Sequence, residues 1–449
     1  MKKYDNYKDS GIEWIGEIPE HWKIQRLKYA FDLGTGLSIT KENLIEKGVP
    51  CVNYGEIHSK YGFEVDINKH NLKCVDVNYL NTSKKALMNQ GEFIFADTSE
   101  DIEGSGNFTH IKRNGDIFAG YHTITARPIK KSNSLYFAFL FDSIDFRTQI
   151  RNSVKGIKVF SITQGILKDT FIWHPPFEEQ TAIANYLDQK TTQIDTLIAK
   201  KAQFISLLQE ERTAVINQAV TKGLDPKVKM KDSGIEWLGE IPEHWEVKRM
   251  KYVVKTPLKY GANESAEDEI IEDPRYIRIT DFGNDGKLRK NTFKSLSPDK
   301  AENFLLEEGD ILFARSGATV GKTFFFKDYK GVACFAGYLI KASCDPMIMK
   351  SEFLYEFTNS SGYENWKQSI FQQSTIQNIG ADKYNQLKIG VPPIPEQQKI
   401  IDFITVKTNE IINLISKSEQ EIELLREFKT ALISEVVTGK INVQKIKLN

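Results

Sequence analysis

The sequence predicts an α+β protein in which two mixed α/β domains are joined by two long helices that form an antiparallel coiled coil. Three observations lead to this fold class. A 22-residue motif near the N-terminus recurs in the middle of the chain, a proline-led segment that begins at Pro175 recurs at Pro392, and both segments have the apolar spacing of helices. The chain is therefore predicted to be a pseudo-twofold internal duplication.

The opening motif carries the clearest repeat. Residues 8–29 read KDSGIEWIGEIPEHWKIQRLKY, and residues 231–252 read KDSGIEWLGEIPEHWEVKRMKY. The two copies are identical at 17 of 22 positions, which chance does not produce. Their tryptophans, Trp22 and Trp245, are predicted to be structural anchors rather than ligand contacts.

The second repeat is longer and has no gap. Residues 175–221 align with residues 392–438, and 21 of the 47 pairs are identical. The segments between the opening motif and the Pro-Pro pair keep only a few landmarks, such as Ala-Gly-Tyr at 119–121 and at 336–338. Two explanations of this divergence stay open, which are neutral drift of two surfaces and selection for two different targets. The preserved flanks favour the second.

The duplication divides the chain into four predicted segments. They are an N-terminal segment with the first domain (1–174), a central long helix (175–222), a linker with the second domain (223–391) and a C-terminal long helix (392–449). Proline and glutamate suit the first turn of each helix, and Gly223 and Gly439 are typical stops. About 45 residues at 1.5 Å each give a rod of roughly 65 Å.

Each rod has an apolar stripe that it cannot bury by itself. The predicted helix-pairing residues are Ile194, Leu197, Ile205, Leu208, Ile411, Leu414, Ile422 and Leu425. Pairing of two equivalent rods about a pseudo-twofold axis gives an antiparallel coiled coil whose length acts as a ruler. The alternative is that each rod folds back as a helical hairpin onto its own domain.

Composition excludes several classes of protein. The 449 residues include 60 basic and 60 acidic side chains, so the net charge is zero and the chain is no simple DNA-coating protein. No stretch approaches the ~18 consecutive apolar residues of a membrane span, and no secretory signal is visible. The four cysteines form no Cys-x-x-Cys pair, which predicts reduced thiols, no metal site and a cytoplasmic protein.

Two near-matches to catalytic motifs fail on spacing or residue type. Gly317 and Gly321 are separated by three residues, whereas a phosphate-binding loop needs four. The His-Pro-Pro-Phe sequence at 174–177 lacks the Asn or Asp that opens the corresponding signature of amino-methyltransferases. Without a nucleophile, a metal set or a cofactor loop, the sequence predicts no catalytic residue and no enzyme activity of its own.

The repeated layout resembles the specificity (S) subunit of Type I restriction-modification enzymes over essentially the whole chain. The resemblance is carried by GIEWIGEIPEHW at 11–22 and GIEWLGEIPEHW at 234–245, and by IWHPPFEEQTAIA at 172–184 and IGVPPIPEQQKII at 389–401. GDILFARSGATVGKT at 309–323 and STIQNIGADKYNQLKIGVPP at 374–393 also resemble the second target-recognition domain of such subunits.

The resemblance implies that each domain reads one half of an asymmetric bipartite site in double-stranded DNA. It implies that the helices set the spacer and dock two methylation subunits, and that restriction subunits with translocase and nuclease activity complete the complex. It also implies that this chain binds no cofactor, whereas S-adenosylmethionine, ATP and Mg²⁺ are bound by partner subunits.

Local segregation of charge agrees with DNA binding. Between residues 112 and 158 there are nine basic and three acidic side chains, which suits a surface that faces phosphates. In the second domain, a glycine-bearing loop and an amide-rich stretch carry side chains that can bond base edges. The candidate DNA-binding residues are Lys112, Arg113, Tyr121, His122, Arg127, Arg151, Lys155, Lys158, Arg315, Ser316, Lys322, Tyr338, Gln372, Gln373, Ser374 and Thr375.

Two other interpretations stay open. In the first, the charged side chains only solvate a surface. In the second, the chain is a protein-assembly scaffold whose coiled coil joins partners and whose domains bind peptides. Affinity for DNA that falls steeply with salt distinguishes DNA reading from peptide binding.

Overall fold

A computed structural model describes residues 3–156, 158–265, 267–283, 287–317, 319–371, 378–444 and 446. The chain forms two compact units: unit 1 contains Met1–Lys201 and Gln420–Asn449, and unit 2 contains Ala202–Glu419. Each unit combines helices with strands, which confirms the predicted α+β class.

Unit 1 contains most of the strands. They are β1 (Tyr7–Asp9), β2 (Glu17–Pro19), β3 (Lys23–Arg26), β4 (Phe31–Thr35), β5 (Val49–Val52), β6 (Phe63–Val65), β7 (Cys74–Val75), β8 (Leu87–Met88), β9 (Phe93–Ala96), β10 (Thr98–Ser99), β11 (Phe108–Ile111), β12 (Ile117–Ala119), β13 (Thr123–Pro128), β14 (Phe160–Ser161) and β15 (Phe171–His174). The helices are α1 (Tyr54–Ser59), α2 (Tyr79–Thr82), α3 (Ser134–Asp142), α4 (Ile144–Ser153), α5 (Gln164–Asp169) and the first part of α6 (Phe177–Lys222).

The core of unit 1 lies between its main sheet and α3. The sheet has the strand order β4-β13-β9-β11-β6, and a second sheet has the order β7-β5-β12-β8. β9 is buried along its whole length, as expected of an apolar strand covered on both faces. Phe141 of α3 packs against Phe93 and Phe95 of β9, with ring centroids 5.0 Å and 5.3 Å apart.

Unit 2 has a related sheet. Its strands are β16 (Met230–Asp232), β17 (Glu240–Pro242), β18 (Glu246–Arg249), β19 (Lys259–Tyr260), β20 (Arg275–Ile277), β21 (Ile311–Ala314), β22 (Thr323–Phe325), β23 (Ala333–Phe335), β24 (Leu339–Ala342) and β25 (Lys388–Val391). Its helices are α7 (Pro298–Ala301), α8 (Ser351–Phe357), α9 (Ser361–Phe371), α10 (Ala381–Gln386) and the first part of α11 (Ile394–Val437), besides the end of α6.

The main sheet of unit 2 has the order β19-β24-β21-β22, with every neighbouring pair antiparallel. β4, β13, β9 and β11 of unit 1 follow each other in the same way. β21 therefore takes the central position that β9 takes in unit 1. Trp22 and Trp245 of the two opening motifs are fully buried, as structural anchors are.

The helices α6 and α11 occupy the segments for which long helices are predicted. Each begins after a Pro-Pro pair and has glutamate in its first turn, where the helix dipole favours negative charge. The glycines that follow, Gly223 and Gly439, have φ angles of 72° and 75°. This left-handed conformation allows a helix to end, and glycine adopts it without strain.

Between residues 194 and 208 of α6 and between residues 411 and 425 of α11, the buried or half-buried residues alternate at spacings of four and three. On α6 they are Ile194, Ile198, Lys201, Ile205 and Leu208, and on α11 they are Ile411, Ile415, Ser418, Ile422 and Leu425. Two predicted pairing residues lie off this face, since Leu197 is 43% exposed and Leu414 is 45% exposed. The seven-residue repeat places Ile198 and Ile415 on the buried face instead.

Contacts between the two long helices occur inside unit 1. Nζ of Lys429 lies 2.8 Å from both carboxylate oxygens of Asp195, and Lys201 forms an ion pair with Glu421. Partner numbers fall on one helix as they rise on the other, so the helices are antiparallel in this unit. No helix in the described part of the chain is long and apolar enough to cross a lipid bilayer.

Candidate nucleic-acid interface

In unit 1, β9 leads directly into Asp97, where three chain segments meet. The amide of Asp97 donates to the carbonyl oxygen of His122 at 3.1 Å, and its carbonyl oxygen accepts from the amide of Ile162 at 2.7 Å. The next residue, Thr98, pairs with Ser161 in an antiparallel ladder. The backbone at this end of the sheet is therefore fixed from both sides.

In unit 2, β21 leads into Arg315 and the backbone is held in the same manner. The amide of Arg315 donates to the carbonyl oxygen of Tyr338 at 3.0 Å, and its carbonyl oxygen accepts from the amide of Ile379 at 2.8 Å. Ser316 forms an antiparallel bridge with Asn378. Arg315 thus has the backbone environment that residue 97 has in unit 1.

The side chains at these two equivalent positions have opposite charge. Oδ1 of Asp97 accepts from the hydroxyl of Thr98 at 2.7 Å and lies 3.2 Å from Nδ1 of His122. The guanidinium of Arg315 lies 4.9 Å above the ring of Tyr260. One unit therefore presents hydrogen-bond acceptors where the other presents donors.

Three predicted residues, Arg315, Ser316 and Tyr338, lie together in unit 2. Tyr338 is 64% exposed, and the hydroxyl of Tyr260 accepts a hydrogen bond from the amide of Ala381 at 2.9 Å. The predicted amide-rich residues Gln372, Gln373, Ser374 and Thr375 lie outside the described residues.

An aromatic cluster surrounds the corresponding position in unit 1. The ring of Tyr54 lies 5.8 Å from Tyr121, 5.2 Å from His122 and 6.3 Å from His58. Tyr54 and His58 also line an open cleft of about 520 Å³, together with Asn107 and other polar residues. Predicted residues Tyr121 and His122 thus lie beside a cleft lined by half-buried aromatic and polar side chains, which suit stacking and hydrogen bonding to bases.

The loop that carries Tyr121 and His122 is one residue longer than the corresponding loop of unit 2. Two residues, Tyr121 and His122, separate Gly120 from β13, whereas Tyr338 alone separates the corresponding glycine from β24. His122 adopts a φ angle of 54°, which is uncommon for a residue other than glycine. The carbonyl oxygen of His122 accepts from the amide of Asp97 as that of Tyr338 accepts from the amide of Arg315. His122, rather than Tyr121, is therefore the counterpart of Tyr338.

Carboxylates from other segments neutralise part of the predicted basic tract. Nζ of Lys112 lies 2.8 Å from both carboxylate oxygens of Glu64, and Nε of Arg113 lies 3.1 Å from Oδ2 of Asp66. Both acids come from β6 or the residue after it, and β6 runs beside β11. The charge counted along the sequence is therefore larger than the charge that this surface presents.

The remaining basic candidates of unit 1 divide into two groups. Arg127 forms an ion pair with Glu92 at 3.3 Å and bonds backbone carbonyls, and Arg151 donates to a carbonyl oxygen at 2.7 Å. Both arginines hold segments of the domain together. Lys155 and Lys158 are exposed beyond the end of α4.

Lys322 lines an open cleft of about 1170 Å³ in unit 2. The other basic residues of the lining are Arg212, Lys287 and Lys367, and Glu364 pairs with Lys367 at 2.6 Å. Positive side chains thus outnumber negative ones, which favours an anionic ligand such as a phosphate backbone.

Sequence reasoning missed Asp97, Tyr54, His58 and Tyr260. One signal points to the first of them, because a Phe-Ala pair at 95–96 and at 313–314 immediately precedes Asp97 and Arg315. Among the described residues, no group of three or more His, Cys, Asp or Glu side chains is placed to hold a metal ion.

Comparison with known proteins agrees with this chemistry. The family described as the Type I restriction modification DNA specificity domain matches residues 19–205 and again residues 242–424. The two matches together cover most of the chain. They favour DNA reading over the peptide-binding scaffold.

Curated relatives span nearly the whole chain. This chain is 25% identical to the putative type I restriction enzyme MjaX specificity subunit of Methanocaldococcus jannaschii, over 98% of each protein. It is 22% identical to the type I restriction enzyme EcoKI specificity subunit of Escherichia coli, over 94% of this chain and 91% of the relative.

Solved structures have the same fold at low identity. A structure on complex assembly and conformational transition of the type I R-M system has a TM-score of 0.71 at 14% identity, over 94% of this chain and 99% of the other. The HsdS subunit from Thermoanaerobacter tengcongensis has a TM-score of 0.56 at 15% identity, over 94% and 98%. The chain belongs to the Type I restriction-modification specificity subunits, which recognise DNA and are not themselves catalytic.

Proposed function

We propose that unit 1 and unit 2 each read one half of an asymmetric bipartite site in double-stranded DNA. The observation that carries this proposal is the pair of equivalent strand ends at Asp97 and Arg315, which share their main-chain hydrogen bonds and differ in their side chains. A common frame with different side chains is what two half-sites of different sequence require. The exposed lysines Lys155, Lys158 and Lys322 supply contacts to phosphates, which position the protein without selecting bases.

In this proposal the long helices form an antiparallel coiled coil that sets the distance between the half-sites. The seven-residue spacing of buried residues on α6 and on α11 supports such pairing. The ion pair between Asp195 and Lys429 supports the antiparallel direction. A paired rod resists bending better than one helix, so its length fixes the gap that the two units span.

The exposed faces of the same helices dock two methylation subunits. Leucine is found at two equivalent pairs of off-face positions, Leu197 with Leu414 and Leu207 with Leu424, and all four side chains are at least 43% exposed. Leu197 and Leu424 belong to unit 1, and Leu207 and Leu414 belong to unit 2. Exposed apolar residues that recur in this way indicate one docking patch in each unit. Restriction subunits complete the complex, and S-adenosylmethionine, ATP and Mg²⁺ bind to these partners.

Exchange of one recognition segment tests the proposal. Residues 30–170 are replaced by the same segment of a relative with another target, and the methylated sites of a host that expresses the full complex are mapped by sequencing. One half of the site changes and the other half stays the same. The reciprocal exchange of residues 253–387 is the matched control and changes only the other half. A site that changes in both halves, or in neither, contradicts the proposal.

Lengthening both helices tests the spacer. Seven residues are inserted after Gln203 in α6 and seven after Glu419 in α11, which face each other in the register set by the Asp195–Lys429 pair. Both insertions preserve the seven-residue spacing of the buried face. The gap between half-sites lengthens while both half-sites remain the same. An unchanged gap refutes the spacer role, and an insertion in α6 alone serves as the control that breaks the register.

A further inference from the structure

We propose that Asp97 and Arg315 are equivalent base-reading residues, and that Arg315 selects a guanine whereas Asp97 selects a cytosine. This inference rests on the proposed function, because it assumes that both units read DNA. It goes further by naming the residue and the base in each half-site. Two observations support the inference. The two residues share a backbone position, and their side chains have opposite hydrogen-bonding character.

The backbone at both positions is rigid, as base reading requires. The amide of each residue donates to a loop carbonyl, and its carbonyl oxygen accepts from the amide of Ile162 or Ile379. These hydrogen bonds fix the start of each side chain relative to a fully buried strand. A recognition residue held by a buried scaffold loses little entropy on binding.

Arg315 has the features of a donor that is kept available. Its flat guanidinium stacks on Tyr260, whose hydroxyl is fixed by the amide of Ala381. Within the described residues, Arg315 forms no ion pair, and its Nε is buried without a hydrogen-bond acceptor, so its two terminal nitrogens are the donors left for a ligand. Two predicted arginines of unit 1, Arg113 and Arg127, differ because they pair with carboxylates. A stacked guanidinium offers two parallel N–H groups that match O6 and N7 of guanine.

Asp97 has the features of an acceptor. Both of its side-chain contacts, with Thr98 and with His122, involve Oδ1. Oδ2 is left to accept a further hydrogen bond. Cytosine presents an N4 amine in the major groove, and a carboxylate is suited to accept from it. Adenine presents its N7 acceptor beside its amine, and this lone pair disfavours a neighbouring carboxylate.

The experiment uses the complex of this chain with its methylation subunits. The natural site is first identified from methylated genomic DNA, and dissociation constants are then measured for duplexes with every base pair substituted in turn. Arg315→Ala lowers discrimination for guanine by about 5- to 150-fold at one position of one half-site, which is the range for a bidentate contact. Arg315→Lys keeps the charge but not the fork, so it retains affinity for random DNA and loses guanine selection.

Asp97→Asn changes the preference at one position of the other half-site from cytosine towards adenine, because an amide can bond both N6 and N7 of adenine. Arg315→Ala leaves the half-site read by unit 1 unchanged, and Asp97→Asn leaves the half-site read by unit 2 unchanged, so each variant is the matched control for the other. Arg249→Ala removes an exposed arginine from β18 of unit 2 and leaves the base preference unchanged. Thermal unfolding of each variant shows that the fold is retained.

A modified base tests Arg315 without changing the protein. Replacing the selected guanine by 7-deazaguanine removes the N7 acceptor and weakens binding by wild type, but does not weaken binding by Arg315→Ala further. If Arg315→Ala, Arg315→Lys and Asp97→Asn all keep the base preferences of wild type, this inference is overturned, and DNA reading by the units stays intact. A wild-type complex that shows no bipartite preference at all overturns the proposed function itself.

Discussion

Nε1 of Trp22 donates a hydrogen bond to Oε1 of Glu179 at 3.1 Å, joining the opening motif to the first turn of α6. The same carboxylate accepts from the hydroxyl of Tyr4 at 2.6 Å and contacts His21 at 2.8 Å. Burial and the bond to Glu179 raise the pKa of Tyr4, which therefore stays a donor. Trp245 and Glu396 repeat the central bond at 3.1 Å in unit 2.

Glu179→Ala is expected to lower the free energy of unfolding of unit 1 by about 2 to 5 kcal/mol, because it leaves the buried donors of Trp22 and Tyr4 without an acceptor. Glu396→Ala is the matched control and costs less, since the side chain of Glu396 is 27% exposed and that of Glu179 is 6% exposed. Denaturant titration of both variants measures the difference. Equal losses in the two variants contradict the prediction.

Leu424→Ser is expected to remove one methylation subunit from the complex, and Leu207→Ser is expected to remove the other. Both side chains are more than half exposed, so the stability of the isolated chain changes by less than about 0.5 kcal/mol. The mass of the complex, measured by light scattering, reports the number of bound subunits. The double variant binds none.

Leu305→Ser is the control for these two variants, because Leu305 is exposed outside the long helices. It leaves two subunits bound. Full occupancy in the double variant would place the docking surface elsewhere.

His110 is expected to make unit 1 less stable in mild acid. Burial lowers the pKa of His110 to about 4, so the folded unit excludes a proton that the unfolded chain binds below pH 6.5. The stability associated with the neutral ring is complete above pH 6.5 and is lost as the pH falls towards 4. Between pH 7 and pH 4.5 this loss amounts to about 2 to 3 kcal/mol.

An asparagine at position 110 cannot titrate. The unfolding free energy of His110→Asn therefore decreases less than that of wild type as the pH is lowered. Denaturant unfolding at pH 7 and at pH 4.5 measures both. An imidazole of His110 that titrates near pH 6.5 by NMR rules out this account.

The cysteines are expected to react slowly with iodoacetamide in the folded protein. All four are buried and free, and burial raises the pKa of Cys334 and of Cys344 to about 12. Since the thiolate is the reactive form, alkylation at pH 8 is slow until the chain unfolds. Mass spectrometry before and after addition of urea counts the modified thiols. Rapid labelling of either cysteine in the native protein speaks against its burial.

Patterns that are local in the sequence predicted the helices well. Proline, glutamate and apolar spacing are all present within α6, and the structure has a helix from Phe177 to Lys222. The choice of Leu197 rather than Ile198 failed, because adjacent apolar residues differ by only 100° around a helix and the partner decides which one is buried. The burial of Lys201 on the same face shows how the partner, here Glu421, alters a simple apolar pattern.

The candidate site was harder to predict because its residues are distant in sequence. Asp97 meets His122 and Ile162 only after three strands have assembled. The charge of Lys112 and Arg113 was overestimated for the same reason, since the acids that pair with them lie on or next to a neighbouring strand. Composition along a segment does not reveal such pairings, whereas the repeated Phe-Ala pair before Asp97 and Arg315 is a local signal for the missed position.

The main-chain hydrogen bonds that hold residues 97 and 315 in the two sheets do not involve their side chains. Proline would remove the amide donor at either position, whereas other substitutions keep these main-chain bonds. Such a substitution at either position changes the side-chain hydrogen-bonding groups on the surface and keeps the main-chain bonds of the sheet. In the proposed base reading, a single substitution at either position changes the selected base while the main-chain bonds of the sheet stay in place.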